Sequence, residues 1–219
     1  MPSCNYYFGK VFAHLAGALA VSAASAEYSN LAYDLFGRLP PLINSILNLA
    51  ITIGLLYGTI LTQPGSILKY AFFIAFAFWI GQILKHVIEK LQLKGSLTRV
   101  LILTTGVFAA MTALGFYDSG NFLSLGPYLF AGLIGLILAE VLLLLFGSPE
   151  EKRKGIQWLS LFGVALFSLL TAYDIQVLRV GAKLCKRTKG FQPDYPAESL
   201  GIFLDFINLF EDLSILNND

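Results

Sequence analysis

Residues 100–146 read VLILTTGVFAAMTALGFYDSGNFLSLGPYLFAGLIGLILAEVLLLLF and carry two charged side chains, Asp118 and Glu140. The stretch divides at Asp118-Ser119-Gly120-Asn121 into two apolar runs, 100–117 and 125–146. Each run is close to the roughly 20 residues that a helix needs to cross a hydrocarbon core of about 30 Å. The bilayer interior offers no partner to an exposed backbone N–H or C=O, so such runs must be helices. Barrel strands would be about half as long and would alternate apolar with polar residues.

Working outward from this pair gives further spans at about 11–26, 40–62, 67–84, 155–178 and 200–216, for a total of seven. The separators are short and carry turn chemistry: Gln63-Pro64-Gly65, the Asp118 segment, and Gly147-Ser148-Pro149 followed by Glu150, Glu151, Lys152, Arg153 and Lys154. The one long connection is 179–199, with Arg179, Lys183, Lys186, Arg187 and Lys189. The expected fold is an all-α integral membrane protein, a seven-transmembrane-helix bundle forming a single membrane domain over 1–219.

Composition agrees. The chain is 56% hydrophobic and 13% charged, against about 25% charged residues in soluble domains. So few charges could not coat a soluble fold of this size, so the lipid bilayer is the expected partner. A formal net charge of +1 gives no reason to expect nucleic acid. Cys4 and Cys185 suggest neither a metal-ligand spacing nor a disulfide framework. His14 and His86 stand in no motif and read as packed or interfacial residues. No nucleophile–base pair, metal motif or phosphate loop marks an enzyme, and no resident cofactor is expected.

Two features bear on the first spans. Lys10, the apolar run 11–21 and Ala24-Ser25-Ala26 have the form of a signal peptide with its cleavage site, but the first span can itself insert the chain, and the uncleaved reading is taken. Ala13, Gly17, Ala20 and Ala24 in the first span, and Gly54 and Gly58 in the second, set small residues along one side, where helix backbones could approach closely. Orientation does not resolve from charge. Lys10, Lys69 and the five bases of 179–199 make seven on one side; Arg38, Lys85, Lys90, Lys94, Arg99, Lys152, Arg153 and Lys154 make eight on the other.

Three acids lie inside apolar runs: Glu140, Asp174 and Asp205. A carboxylate at mid-span costs at least about 2.5–3.5 kcal/mol and normally turns to the bundle interior. Asp174 lies about one turn before the end of the sixth span, and Asp205 a little more than one turn into the seventh. The two spans share the 179–199 connection, so the aspartates fall at similar depth and can meet. Glu140 belongs to the opposite half of the membrane. Two adjacent carboxylates in a low dielectric share a proton, so the pair would act as a proton-sensing latch. Gly201, Asp205, Asn208 and Asp212 follow i, i+4, i+7, i+11 spacing and share one helix face. This polar stripe calls for an interior position, facing either a water-filled path or protein partners, with Asn208 and Asp212 as the candidate ion path and Leu209, off the stripe, the more lipid-accessible. Its oxygen ligands suit a hard cation such as Ca²⁺, held transiently at Asp174 and Asp205.

The segments Ala172-Tyr173-Asp174-Ile175-Gln176, Asp194-Tyr195-Pro196-Ala197 and Leu204-Asp205-Phe206-Ile207-Asn208-Leu209-Phe210 resemble the Y-D-T-Q, D-Y-x-x-A and L-D-x-I-N-L-F signatures of the Bax inhibitor-1 family. Residues 122–130, FLSLGPYLF, resemble the family's entry to its fifth span, and Thr105-Gly106-Val107-Phe108 its fourth. Gly9-Lys10-Val11-Phe12 with Ala23-Ala24 resemble its first. The resemblance implies a short, polar-striped last helix at the centre of the other six. It implies a pH-sensitive Ca²⁺ leak channel with Asp174 and Asp205 as sensor, Ca²⁺ and protons as the ions handled, and cell-death regulators as membrane partners. The expected location is the endoplasmic reticulum or Golgi in a eukaryotic or viral setting, and the plasma membrane in a bacterium. Two departures stand out. Ile175 replaces the usual Thr, and residues 58–62 lack the base that pairs with the sensor in some members, leaving Lys69 as the nearest candidate partner. The alternatives are a cation/proton exchanger built on the same carboxylates and a non-conducting scaffold that binds cell-death regulators.

The run lengths make a first prediction. The protein should stay in the membrane pellet through alkaline carbonate extraction, and its release to the supernatant would end the membrane reading.

Overall fold

The structure, a computed structural model, describes residues 4, 6–117, 121–188 and 191–217. Among them are seven long helices and one short one, with no strand: α1 (Tyr7–Tyr28), the short α2 (Leu31–Phe36), α3 (Pro41–Leu61), α4 (Ile67–Leu93), α5 (Leu97–Phe116), α6 (Gly126–Phe146), α7 (Pro149–Arg187) and α8 (Tyr195–Leu216). A 3-10 turn at Phe122–Leu125 leads into α6. Six of the long helices, all but α8, are long and apolar enough to cross a membrane. The chain is an all-α, multi-pass integral membrane protein. Of the residues read as loop or tail, Asp118, Ser119, Gly120, Lys189, Asn218 and Asp219 lie outside the described residues.

Two helices outrun the spans expected for them the most. α4 continues past residue 84 to Leu93, and α7 covers 39 residues, about 58 Å at 1.5 Å per residue and so nearly twice the hydrocarbon thickness. The expected long connection at 179–199 therefore shrinks to the residues between Arg187 and Tyr195. The apolar runs end at the first charges, whereas the helices do not, because Lys, Arg, Glu and Gln are good helix formers. The ends of α7 are reinforced locally. Ser148 and Glu151 form a reciprocal cap, Glu151 Oε2 accepting from Ser148 N–H at 2.8 Å and Ser148 Oγ from Glu151 N–H at 3.4 Å. Acids occupy the first turn of α7 and Lys186 and Arg187 the last, matching the helix dipole. Between α4 and α5, Gly95 takes φ 68° while Ser96 N–H reaches Leu91 C=O at 2.9 Å, a Schellman turn that favours glycine.

The chain forms two compact units. The first comprises α1 to α3, α4 through Glu89, the end of α7 from Gly181 and the start of α8 through Phe203. Within it, Ser22 donates to Ala77 C=O at 2.6 Å and Ser25 to Phe78 C=O at 2.7 Å, while Gln82 Nε2 donates to Ser25 C=O at 2.8 Å. Here α1 meets α4 at Gly81, where any Cβ would collide with the Ser22 backbone. The small-residue stripe expected to mediate contact faces outward instead. Ala13, Gly17, Ala20 and Ala24 are exposed, and the buried side is Val11, Leu15, Ala18, Ser22, Ser25 and Ala26. Gly54 has open space around it, and Gly58 lies under the Phe72 ring. Neither series serves as a paired close-approach motif, because hydrogen-bonding serines and a single glycine on the other helix make the contact.

Cys4 and Cys185 are joined by a disulfide with Cα atoms 5.9 Å apart, which corrects the reading that they suggest no pairing. They are 181 residues apart in sequence, and nothing in their local spacing signals the fold that brings them together.

The second unit holds α5, α6, α7 through Val180 and α8 from Leu204. Apolar side chains on α6 such as Ile134, Leu138, Leu142 and Leu144 are exposed, as lipid-facing residues are. Exposed aromatics stand near helix ends in both units, among them Tyr28, Tyr117 and Tyr128, the placement of a membrane-interface belt. In contrast, most of α8 is buried or half-buried, Glu211 being exposed. Ile202, Phe203 and Leu209 are fully covered, and Asp205 and Asp212 on the polar stripe are 4% and 7% exposed. Leu209 thus does not face lipid, contrary to expectation. A cysteine placed at 209 should resist a hydrocarbon-dissolved thiol probe as strongly as one at 205. A cysteine at Leu144, which is 61% exposed, should label readily, and equal labelling at 209 and 144 would place α8 at the lipid surface.

Candidate functional site

Asp205 lies in the second unit, opposite α7. Its electrostatic neighbour is Asp174, and the Thr171 hydroxyl lies within hydrogen-bonding reach of its carboxylate. The structure therefore brings together the two aspartates selected by depth. Asp205 Oδ2 has no hydrogen-bond partner although it is buried. Thr171 donates to Phe167 C=O at 2.8 Å, and a hydroxyl has a single proton to give. That proton can serve the Phe167 carbonyl or the Asp205 carboxylate, one at a time. Thr171 escaped the sequence reading. Its place one helical turn before Ile175 was the available signal.

The surroundings of the pair are tightly built. Ile175, which replaces the family's usual Thr, is fully buried against α5. A Cβ on Gly115 would sit 2.7 Å from Ile175 Cβ and 2.8 Å from Ala172 C=O, so glycine lets the α5 and α7 backbones close beside Asp174. Phe206 meets Phe108 edge to face at 5.3 Å. Leu123 N–H donates to Gln176 Oε1 at 3.2 Å, and Tyr173 packs on Gly126. The FLSLGPYLF and AYDIQ segments are thus structural partners.

Lys69 is placed in the first unit, with a partner the sequence reading did not give it. Its side chain is fully buried, forms an ion pair with Asp194 and donates to Ile60 C=O at 3.4 Å. Asp194 has a second task. Its Oδ1 accepts from Ala197 N–H at 3.3 Å, capping the start of α8. The D-Y-P-A sequence is therefore a helix cap whose carboxylate also neutralises a buried ammonium. His14 stacks on Tyr195 with centroids 6.0 Å apart, and its Nδ1 lies 2.7 Å from Lys10 C=O.

Further along the stripe, Asp212 faces α7, where a Cβ on Gly163 would overlap its carboxylate. Asn208 and Asp212 line a cavity of about 420 Å³ together with Glu140, Ser160 and Glu211. Glu140 thus belongs with Asp212 and Glu211 and is separate from the Asp174–Asp205 pair. Glu211 and Gly163 were not singled out from sequence, since Glu211 lies off the stripe and Gly163 is one of 20 glycines.

A multi-pass helical membrane protein with an adjacent pair of aspartates on its last two helices is the class so defined. The family profile described as inhibitor of apoptosis-promoting Bax1 matches residues 4–218, and the chain belongs to that family. It is 28% identical over 207 residues to Bax inhibitor 1 of Schizosaccharomyces pombe, covering 93% of this chain and 73% of that one. It is 29% identical over 220 residues to an uncharacterized protein of Borreliella burgdorferi, covering 94% and 88%. The match to inner membrane protein YbhL of Escherichia coli K12, 32% over 118 residues, spans about half of each chain, 52% and 48%. The family and the fold are those of membrane proteins and of no known enzyme family.

The Lys69–Asp194 pair gives a stability prediction. Asp194→Asn keeps a good cap but removes the charge facing a buried ammonium. It should cost stability toward the lower end of the roughly 3–5 kcal/mol typical of a broken buried pair. Adding Lys69→Met should recover most of the loss. Thermal unfolding in detergent reads both, and an unchanged melting temperature for Asp194→Asn would deny the pair its structural weight.

Proposed function

We propose that the protein is a pH-sensitive Ca²⁺ leak channel that modulates Ca²⁺ stores and, in a cellular host, restrains cell death. The observation that carries this reading is the burial of Asp205 beside Asp174, with one carboxylate oxygen lacking any partner. In a low dielectric, two such groups are held together by a shared proton and pushed apart when both ionise. Asp174 is on α7 and Asp205 on α8, so the proton tie joins two helices. Losing the proton favours their separation and so the conducting state. Asn208 and Asp212 continue the polar stripe and supply oxygen ligands for a hard cation passing along α8. The words inhibitor of apoptosis in the family description support the cell-death role, through membrane-resident regulators.

Calcium flux into proteoliposomes tests this. Wild-type flux should rise as pH climbs through the apparent titration of the pair. Either Asp174→Asn or Asp205→Asn should flatten that dependence. The double variant should add little, because coupled residues act as one unit. Independent, additive shifts would mean that the residues are not a pair. Flux that saturates and follows an imposed proton gradient would indicate an exchanger, and no flux in any variant would indicate a scaffold.

A further inference from the structure

The end of α8 holds a second polar cluster within the same unit. The cavity of about 420 Å³ is bounded by the last turns of α6, the first turns of α7 and the last turns of α8. It therefore lies toward the face that carries the α6–α7 turn. Three carboxylates line it. Glu140 acts electrostatically on both Glu211 and Asp212, and Glu211 acts on Asp212. Glu140 and Glu211 are accessible, whereas Asp212 is 7% exposed and its Oδ2 has no hydrogen-bond partner. Ser160, 3% exposed, offers its hydroxyl to Asp212.

The last turn of α8 has no basic residue, and its free carbonyls add the negative end of the helix dipole. Among the described residues, none of the three carboxylates is in an ion pair. Lys152, in the first turn of α7, is the basic residue lining the cavity.

We propose that Glu140, Glu211 and Asp212, with Ser160 and Asn208, form a cation site distinct from the aspartate pair that takes a hydrated divalent cation. Retained water follows from the geometry. Among the described residues, no group of three acidic, His or Cys side chains could hold a metal ion by itself. The cavity, however, has room for several waters at about 30 Å³ each. Gly163 is the positioning residue, because a Cβ there would overlap the Asp212 carboxylate where it stands. Lys152 competes with the bound cation from the cavity wall.

The test is calcium binding, which does not require conduction. Full-length protein in phosphatidylcholine nanodiscs would be titrated with CaCl₂ at neutral pH by calorimetry, with MgCl₂ as competitor. The wild type should show a saturable site that Mg²⁺ displaces. That site should persist in the Asp174→Asn/Asp205→Asn variant. It should weaken by about tenfold or more in Glu140→Gln/Glu211→Gln/Asp212→Asn. Lys152→Gln should tighten binding several-fold, a gain of function that a misfolded protein could not give. Absence of saturable binding in the wild type would mean that protons alone neutralise the cluster and would overturn the proposal. So would loss of the site in the aspartate-pair variant, or unchanged affinity in Lys152→Gln.

Discussion

A carboxylate in hydrocarbon costs several kcal/mol unless protein or water surrounds it, and α8 carries Glu198, Asp205, Glu211 and Asp212 within 22 residues. That cost governs where the other side chains go. α8 cannot face lipid, so its apolar residues Ile202, Phe203 and Leu209 are buried as deeply as its aspartates. The lipid-facing role falls to α6, where large aliphatic residues are exposed. Where α7 must come close to the acids of α8, or α5 to α7, the chain uses glycine, at Gly163 against Asp212 and Gly115 against Ile175. Both glycines trade intrinsic helix propensity, about 1 kcal/mol relative to alanine, for proximity that no side chain would permit.

Lipid tails are as apolar as leucine, so burial of apolar area alone gives membrane helices little reason to associate. The first unit shows what substitutes for it. Ser22, Ser25 and Gln82 link α1 to α4 through hydrogen bonds of 2.6–2.8 Å. Lys69 on α4 is tied to Asp194 at the cap of α8. Each bond satisfies a group that would otherwise be unpaired in a dry interior, so polar residues here specify which helix surfaces meet.

Much of this was legible from residue order. The seven helices followed from run length, and the meeting of Asp174 with Asp205 followed from two acids at similar depth on helices joined by one connection. Helix ends were less legible, because hydropathy reports where lipid stops and α4 and α7 continue beyond it. The Cys4–Cys185 link and the Lys69–Asp194 pair join residues 181 and 125 positions apart, and no local pattern encodes either. Glu211 was invisible to a reading that followed one helix face, since it lies off the stripe and belongs to the cavity through its neighbours on α6 and α7. Gly163 could be recognised only once Asp212 was seen opposite it.

The stripe on α8 looks continuous in sequence but divides into two stations. Asp205 and Asp212 are seven residues apart, about 10 Å along the axis at 1.5 Å per residue. Each has its own set of neighbours, Asp174 and Thr171 for one, Glu140, Ser160 and Glu211 for the other. Two unit charges at that distance interact by roughly 1.7 kcal/mol at an effective dielectric of 20. That is enough to change occupancy at one station about tenfold when charge at the other changes. A proton on the aspartate pair and a cation in the cavity would therefore oppose each other through α8, even without helix movement. Under the proposed mechanism, loss of the proton opens the pair and also favours cation occupancy of the cavity, so gating and ion loading would shift in the same direction with pH.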